Sequence, residues 1–112
     1  MVTVKKAVTM LAYSAVAATA QTVPETRQQE LVRMVRQDCG SCHGMHLTGG
    51  LGPELTRQAM APRPVAALQA VIYYGRPGTP MPGWKSMLNE AEARWIAEQL
   101  RTGFPQEQRR EP

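Results

Sequence analysis

The stretch Cys39-Gly40-Ser41-Cys42-His43 contains the only two cysteines of this 112-residue chain, and a histidine follows the second one directly. This spacing is the attachment signature of a c-type haem. Each cysteine sulfur would form a thioether to one vinyl group of a single haem c, and His43 would be the proximal ligand of the iron. The small residues between the cysteines allow both bonds to reach one macrocycle from a single helical turn.

Three other interpretations of the cysteine pair fit less well. A thioredoxin-like redox disulfide requires a βαβ context, and no strand-rich run lies near residue 39. A closed zinc site requires four ligands, and His43 and His46 would have to supply two of them from one loop with unsuitable spacing. A structural disulfide across two residues would close a very small loop and stabilise little. The motif therefore favours haem attachment.

The first twenty residues have the organisation of a cleaved secretory signal peptide. Lys5 and Lys6 provide a positive start, residues 7–17 an apolar run, and Ala18-Thr19-Ala20 a small-residue cleavage site. The apolar run is short for a membrane span, although an uncleaved anchor is the alternative. Because c-type haem is attached outside the cytoplasm, we expect a periplasmic protein with no stable membrane association.

The positive charge of the chain does not indicate nucleic-acid binding. The formal net charge is +4 and the sequence pI is about 9.5, but two of the cations belong to the expected signal peptide. The remaining arginines are scattered, and no basic run alternates with aromatic residues. Two haem propionates would bring the mature protein close to neutrality.

Hydrophobic spacing predicts three helices and no strand. The first covers residues 25–38, the second Pro64 to Tyr74, and the third begins at Asn89, where Glu92 completes a capping-box pattern. Gly103 would end the third helix. The positions expected to be buried are Leu31, Met34 and Val35 in the first helix, Val65, Leu68 and Ile72 in the second, and Ala93, Ile96, Ala97 and Leu100 in the third.

The loops between these helices are long and rich in glycine and proline. The chain also has few large apolar residues, so its core would be small. A cofactor surrounded by these loops would supply the missing apolar volume. We therefore predict an all-α fold, with three to five helices around one covalent haem. It would occupy residues 21–104 and be followed by a disordered tail, 105–112.

Met81 is the preferred candidate for the distal ligand of the iron. It lies between Pro80 and Pro82 in a loop too stiff to collapse into a core, so its thioether is pre-organised. Met45 and His46 follow His43 too closely to reach across the ring. The other candidates are Met34, expected in the core of the first helix, and Met60 and Met87, which are the fallback ligands. Ligation by His and Met closes both axial positions and suits electron transfer.

Four further residues are candidates for contacts around the haem. The carbonyl of Pro53 could accept a hydrogen bond from the ring of His43 and fix its orientation. Arg76, Trp84 and Lys85 flank the Met81 loop and could hold the propionates. The alternatives are a solvated surface position for Arg76 and Lys85, core filling for Trp84, and a purely structural role in the loop for Pro53. Trp95 is expected to pack between the first and last helices.

Four strings of sequence resemble a known family. They are Asp38-Cys-Gly-Ser-Cys-His-Gly-Met45, Gly49-Gly-Leu-Gly-Pro53, Gly75-Arg-Pro-Gly-Thr-Pro-Met-Pro82 and Glu92-Ala-Arg-Trp-Ile-Ala-Glu98. The chain resembles a class I cytochrome c over residues 27–103. The four strings are more closely similar to the small cytochromes c55X, which are encoded beside cytochrome cd1 nitrite reductase in denitrifying bacteria.

The resemblance implies a function as well as a ligand set. It implies thioethers at Cys39 and Cys42, with His43 and Met81 as axial ligands. It also implies a periplasmic electron carrier, not an enzyme, with cytochrome cd1 nitrite reductase or a haem d1 maturation protein as partner. A haem-based sensor with a displaceable Met81 is the alternative from another class. We expect a monomer. The less favoured alternatives are a dimer in which two molecules exchange the Met81 loop, and ligation of the iron by His46.

Overall fold

The computed structural model describes residues 22–107. The regular secondary structure in this range is helical, and the range contains no strand. The predicted all-α class is confirmed. Five α-helices follow one another along the chain: α1 (Glu25–Met34), α2 (Gly40–His43), α3 (Arg57–Met60), α4 (Val65–Tyr74) and α5 (Glu90–Thr102). The expected signal peptide and residues 108–112 of the expected tail lie outside the described residues. None of the helices in the described range is long and apolar enough to cross a membrane.

The first helix continues further than its sequence pattern predicts. A π-helical turn, Val35–Cys39, joins α1 directly to α2, so the helical path runs from Glu25 to His43. It ends at Gly44, whose φ of +88° is one that other residues rarely adopt. The expected end near Asp38 is therefore wrong. The haem-attachment motif begins at the end of the π-turn and continues through α2.

The core lies between α1, α4 and α5. Leu31 and Val35 are the largest fully buried side chains, and Met34 is only partly buried beside them. On α5 the four predicted core positions are all buried. On α4 only Ile72 is fully buried, and Val65 and Leu68 pack against the core from its edge. The buried cluster consists of Leu31, Val35, Leu47, Met60, Ile72, Leu88, Ala93, Ile96, Ala97 and Leu100.

The start of α5 is fixed by the predicted capping box and by a cation from α1. The Asn89 side chain accepts from the Glu92 N–H at 2.8 Å, and the Glu92 carboxylate accepts from the Asn89 N–H at 2.9 Å. Arg27 donates to the second oxygen of Glu92 and, at 3.0 Å, to the carbonyl of Met87. Burial raises the pKa of Glu92, but the hydrogen bonds from Arg27 and Asn89 outweigh it, so the net pKa is lowered.

The segment after α5 folds back against the π-helical turn. Arg36 donates to the carbonyl of Phe104 at 2.8 Å and to that of Pro105 at 2.9 and 3.1 Å. Its guanidinium also lies 5.5 Å from the centre of the Phe104 ring, which meets the ring of Trp95 edge-on at 6.3 Å. Pro105, the first residue of the expected tail, is thus hydrogen-bonded to the helix that carries the attachment motif.

Candidate haem-binding site

The two cysteines of the attachment motif are both free thiols. Cys39 ends the π-helical turn and is partly buried, whereas Cys42 lies in α2 and is exposed. Desolvation, followed by the charges of Asp38 and Cys42, raises the pKa of the Cys39 thiol to about 11. Cys39 is therefore a neutral thiol at pH 7, and it is a weak nucleophile by itself.

The ring of His43 is buried and has one defined partner. Its side chain is only 8% exposed, and its Nδ1 lies 2.7 Å from the carbonyl oxygen of Pro53. A carbonyl oxygen can only accept, so Nδ1 is the donor in this contact, and in the neutral ring the lone pair lies on Nε2. This is the contact that the sequence suggested for Pro53. It leaves Nε2 as the atom available to ligate iron.

The loop between His43 and Pro53 closes tightly around the imidazole. The Gly49 N–H donates to the carbonyl of His43 at 2.9 Å, and the Gly52 N–H donates to that of Cys42 at 2.8 Å. Gly52 lies so close to the imidazole that a side chain would not fit: a Cβ at that position would be 2.7 Å from Cε1. Sequence reasoning missed this role of Gly52. Its position directly before Pro53 was the available signal.

The Met81 loop is closed on itself and fixed to the end of α4. The Arg76 N–H donates to the carbonyl of Met81 at 3.2 Å. At the base of the loop, the N–H groups of Trp84 and Lys85 donate at 3.0 and 3.2 Å to two of the last carbonyls of α4, which have no partner within the helix. A Cβ on Gly83 would lie 2.6 Å from the carbonyl carbon of Tyr74, so the two segments are in direct backbone contact. Met81 itself is partly buried.

Trp84 carries a polar atom without a partner. Its indole Nε1 is buried and has no hydrogen-bond acceptor among the described residues. An unsatisfied buried donor costs about 1–3 kcal/mol, so an acceptor from a ligand would stabilise the fold at this position. A haem propionate is such an acceptor. The free Nε2 of His43, the two free thiols and this orphaned donor together fit a covalently attached haem.

The other residues that the sequence suggested have different surroundings. Arg76 and Lys85 are exposed, and their side chains form no hydrogen bond with any described residue. Met60, one of the two fallback ligands, is buried in the core at 4% exposure, and Met87 is 50% exposed. Met45 is 79% exposed, and His46 is also on the surface.

Comparison with known proteins defines the class. A family model described as "Cytochrome C oxidase, cbb3-type, subunit III" matches residues 26–99. The solved structure of the c-type cytochrome NirC is 45% identical, with a TM-score of 0.70, over 71% of this chain and 94% of that one. Together with the attachment helix and the histidine held by Pro53, these matches define a c-type cytochrome, whose cofactor is a c-type haem.

Curated relatives identify the family. Cytochrome c55X of Paracoccus denitrificans is 58% identical over 74 residues, which are 66% of this chain and 72% of the relative. Cytochrome c55X of Stutzerimonas stutzeri is 49% identical over 79 residues, 70% of each protein. The chain belongs to the cytochrome c55X family, as its four sequence strings predicted.

A larger protein contains a related segment. Dihydro-heme d1 dehydrogenase of Pseudomonas aeruginosa is 35% identical over 74 residues, which are 66% of this chain but only 15% of that protein. The solved structure of dihydro-heme d1 dehydrogenase NirN in complex with DHE has a TM-score of 0.58 and is 34% identical, over 76% of this chain and 17% of that one. This chain therefore corresponds to a small part of that dehydrogenase.

Proposed function

We propose that the protein is a periplasmic one-electron carrier with a single haem c, attached through Cys39 and Cys42 and ligated by His43 and Met81. The observation that carries the proposal is the hydrogen bond between Nδ1 of His43 and the Pro53 carbonyl, which leaves Nε2 free. When bound, the haem supplies a reversible one-electron iron couple. The polypeptide needs no catalytic group of its own, and we propose no enzymatic activity.

His43 has two tasks in this proposal. Its Nδ1–H donates to Pro53 and so holds the imidazole in one orientation, with Nε2 facing away from the carbonyl. The same hydrogen bond makes the ring a stronger electron donor, as it does for metal-bound histidines generally. Gly52 has no side chain, which leaves the space that the ring needs in this position.

In this proposal Met81 would supply the second ligand of the iron and Trp84 a contact to a propionate. The closed loop around Met81 limits the positions open to its thioether, which lowers the entropy cost of ligation. Trp84 directly follows this loop, and its unpaired Nε1–H would bind a propionate. Arg76 is exposed and remains a weaker candidate for a second propionate contact.

For the physiological partner we propose cytochrome cd1 nitrite reductase in denitrification. The support is the membership of the c55X family, whose members are encoded beside that reductase. The test is a stopped-flow experiment in which the reduced protein is mixed with oxidised cytochrome cd1 nitrite reductase at two salt concentrations. Fast transfer that depends on salt is expected, because exposed charges guide such encounters. Slow transfer at both salt concentrations would exclude the role of donor.

The second candidate role is that of an electron acceptor in haem d1 biosynthesis. The similarity to part of dihydro-heme d1 dehydrogenase favours it, because a related domain is joined to that enzyme. The test mixes the oxidised protein with the dehydrogenase and its dihydro-haem d1 substrate, and follows reduction at the c-type haem band. Reduction within the time of substrate turnover would support this role. A haem that stays oxidised while substrate is consumed would exclude it.

Export and covalent attachment can be tested together. We propose cleavage after Ala20 and one haem per chain. The intact mass of protein purified from the periplasmic fraction should equal that of residues 21–112 plus one haem. A mass that includes residues 1–20, or one that lacks the haem, would contradict this part of the proposal.

A further inference from the structure

One long stretch of the chain carries only positive charge. Between Glu54 and Glu90 the sequence contains no aspartate or glutamate, and it has four cations: Arg57, Arg63, Arg76 and Lys85. All four side chains are exposed, and none of them forms an ion pair with a described residue. The acidic side chains that do form ion pairs all lie outside this stretch. No carboxylate of the described residues therefore neutralises these four cations.

Two of these cations are placed on either side of the Met81 loop. Arg76 opens the loop, and its N–H donates to the carbonyl of Met81 at 3.2 Å. Lys85 follows the loop, and its N–H donates at 3.2 Å to the carbonyl of Tyr73, near the end of α4. Backbone contacts thus fix the positions of both charged residues at the same end of this helix.

Tyr74 adds an exposed aromatic ring to the same end of α4. It is the last residue of the helix and is 63% exposed. Its ring packs edge-on against the partly buried ring of Tyr73, with the centres 4.8 Å apart and the planes at 85°. An aromatic side chain held in this way loses little freedom on binding. Tyrosine and arginine are the residue types most often responsible for the affinity of protein interfaces.

We propose that Tyr74, residues 76–83 and Lys85 form a docking surface for an acidic face of a redox partner. The proposal rests on the proposed function, electron transfer with another protein, and identifies the chemistry of that partner. The surface is stiff because residues 77, 80 and 82 are exposed prolines, so little backbone entropy is lost when it is covered. A small charged patch of this kind suits a complex that must dissociate quickly after transfer.

The first test uses small oxidants of opposite charge, so it needs no protein partner. In each reaction one electron leaves the ferrous haem and reduces ferricyanide to ferrocyanide, or tris(phenanthroline)cobalt(III) to cobalt(II). Lys85→Gln should slow the reaction with ferricyanide about fourfold at about 10 mM ionic strength, and should accelerate the cobalt reaction comparably. Both effects should disappear at about 0.5 M salt.

Arg94→Gln is the control for net charge, because it removes one positive charge from an exposed position on α5, where the guanidinium pairs with Glu98 at 2.8 Å. Both rates should stay within about 1.5-fold of the wild-type values in this variant. Equal changes in the two variants would show that only the net charge matters, and would overturn the proposal. Unchanged melting temperatures and an unchanged far-red methionine-to-iron band would establish that both variants keep the fold and the ligand.

The second test uses oxidised cytochrome cd1 nitrite reductase as the partner. Tyr74→Ala should lower the second-order rate constant about tenfold, whereas Leu51→Ala should not change it. Leu51 is a suitable comparison because, at 96%, it is the most exposed large apolar side chain among residues 22–107, and it lies in the loop after the attachment motif. Slowing by Leu51→Ala alone would place the docking surface at that loop and overturn the proposal.

Two further outcomes bear on what occupies the docking surface. If the reductase does not accept electrons from the wild-type protein, the nitrite reductase proposal fails. The reactions with the two inorganic oxidants then decide by themselves whether the docking surface exists. Sedimentation with phosphatidylglycerol vesicles tests the other anionic occupant of such a surface. Binding to the vesicles that Lys85→Gln abolishes, without any change in electron-transfer rates, would assign the surface to lipid and overturn the proposal.

Discussion

Gly52→Ala should disturb His43, the proposed proximal ligand, by steric contact alone. The added Cβ would lie 2.7 Å from Cε1 and 2.8 Å from Nδ1 of His43, whereas ordinary contacts begin at about 3.4 Å. The ring would have to move by about 0.7 Å, and the same displacement would stretch its 2.7 Å hydrogen bond to Pro53 beyond the usual range of about 2.7–3.2 Å. We expect a loss of about 2–6 kcal/mol, which combines about 1–3 for overpacking with about 1–3 for a buried donor left unpaired.

The matched control is Gly40→Ala, between the two cysteines. Gly40 is helical, and a Cβ there would meet nothing closer than the Cα of Met45 at 3.5 Å. In a helix interior alanine is more favourable than glycine by about 0.5–1 kcal/mol, so this variant should be unchanged or slightly more stable. The two substitutions thus add the same methyl group within the attachment region, but only Gly52→Ala should lower the free energy of unfolding.

The assay is guanidinium unfolding of the haem-loaded protein, followed by circular dichroism and by the Soret band, with the reduction potential measured on the same samples. Gly52→Ala should lower the midpoint of unfolding and shift the potential, since the donor strength of His43 depends on its contact with Pro53. Equal midpoints for the two alanine variants, or an unchanged potential in Gly52→Ala, would refute the steric argument.

Three further predictions concern other parts of the molecule. Met81→Ala should abolish the far-red methionine-to-ferric-iron band, and retention of the band would assign the ligand elsewhere. Glu92→Gln keeps an N3 residue that can still close the capping box but removes the charge that faces Arg27, so we expect a loss of about 1–2 kcal/mol at pH 7. The folded-state pKa of Glu92 is lowered, so its contribution is complete above the unfolded pKa of about 4.3 and is lost as the pH falls through the folded value. The variant should therefore unfold less steeply with acid, and parallel acid titrations of the two proteins would contradict this assignment. Arg36→Ala should lower the stability by about 2 kcal/mol, because the carbonyls of Phe104 and Pro105 lose a charged donor, and an unchanged melting temperature would contradict that role.

The sequence predicted the parts of the fold that depend on local patterns. The attachment motif, the extent of α4 and the capping box of α5 each follow from residues within a few positions of one another. The contact between His43 and Pro53 was also predictable, since the intervening residues are rich in glycine and the proline carbonyl can accept a hydrogen bond. In each case the chemistry is contained in a short segment.

Features that depend on distant contacts were not predictable in this way. Arg36 reaches carbonyls almost seventy residues further along the chain, and no local pattern indicates that pairing. The continuation of the first helix through a π-turn was also missed, because a one-residue insertion in the helical hydrogen-bonding ladder has no clear sequence signal. Helix α3 was missed because it has only four residues, too few to show a hydrophobic spacing. Thr56, which precedes it, accepts a hydrogen bond from the N–H of Ala59 at 3.4 Å. That cap was the signal available for α3.

The central claim is that this chain holds one haem c between His43 and Met81 and exchanges single electrons. The most direct test is a spectroelectrochemical titration of the purified protein at pH 7, with carbon monoxide then added to the reduced form. We predict a reversible Nernst curve for one electron, a far-red methionine band in the ferric state and no spectral change with carbon monoxide. Absence of a covalent haem, absence of the far-red band, or carbon monoxide binding to the ferrous form would contradict the claim.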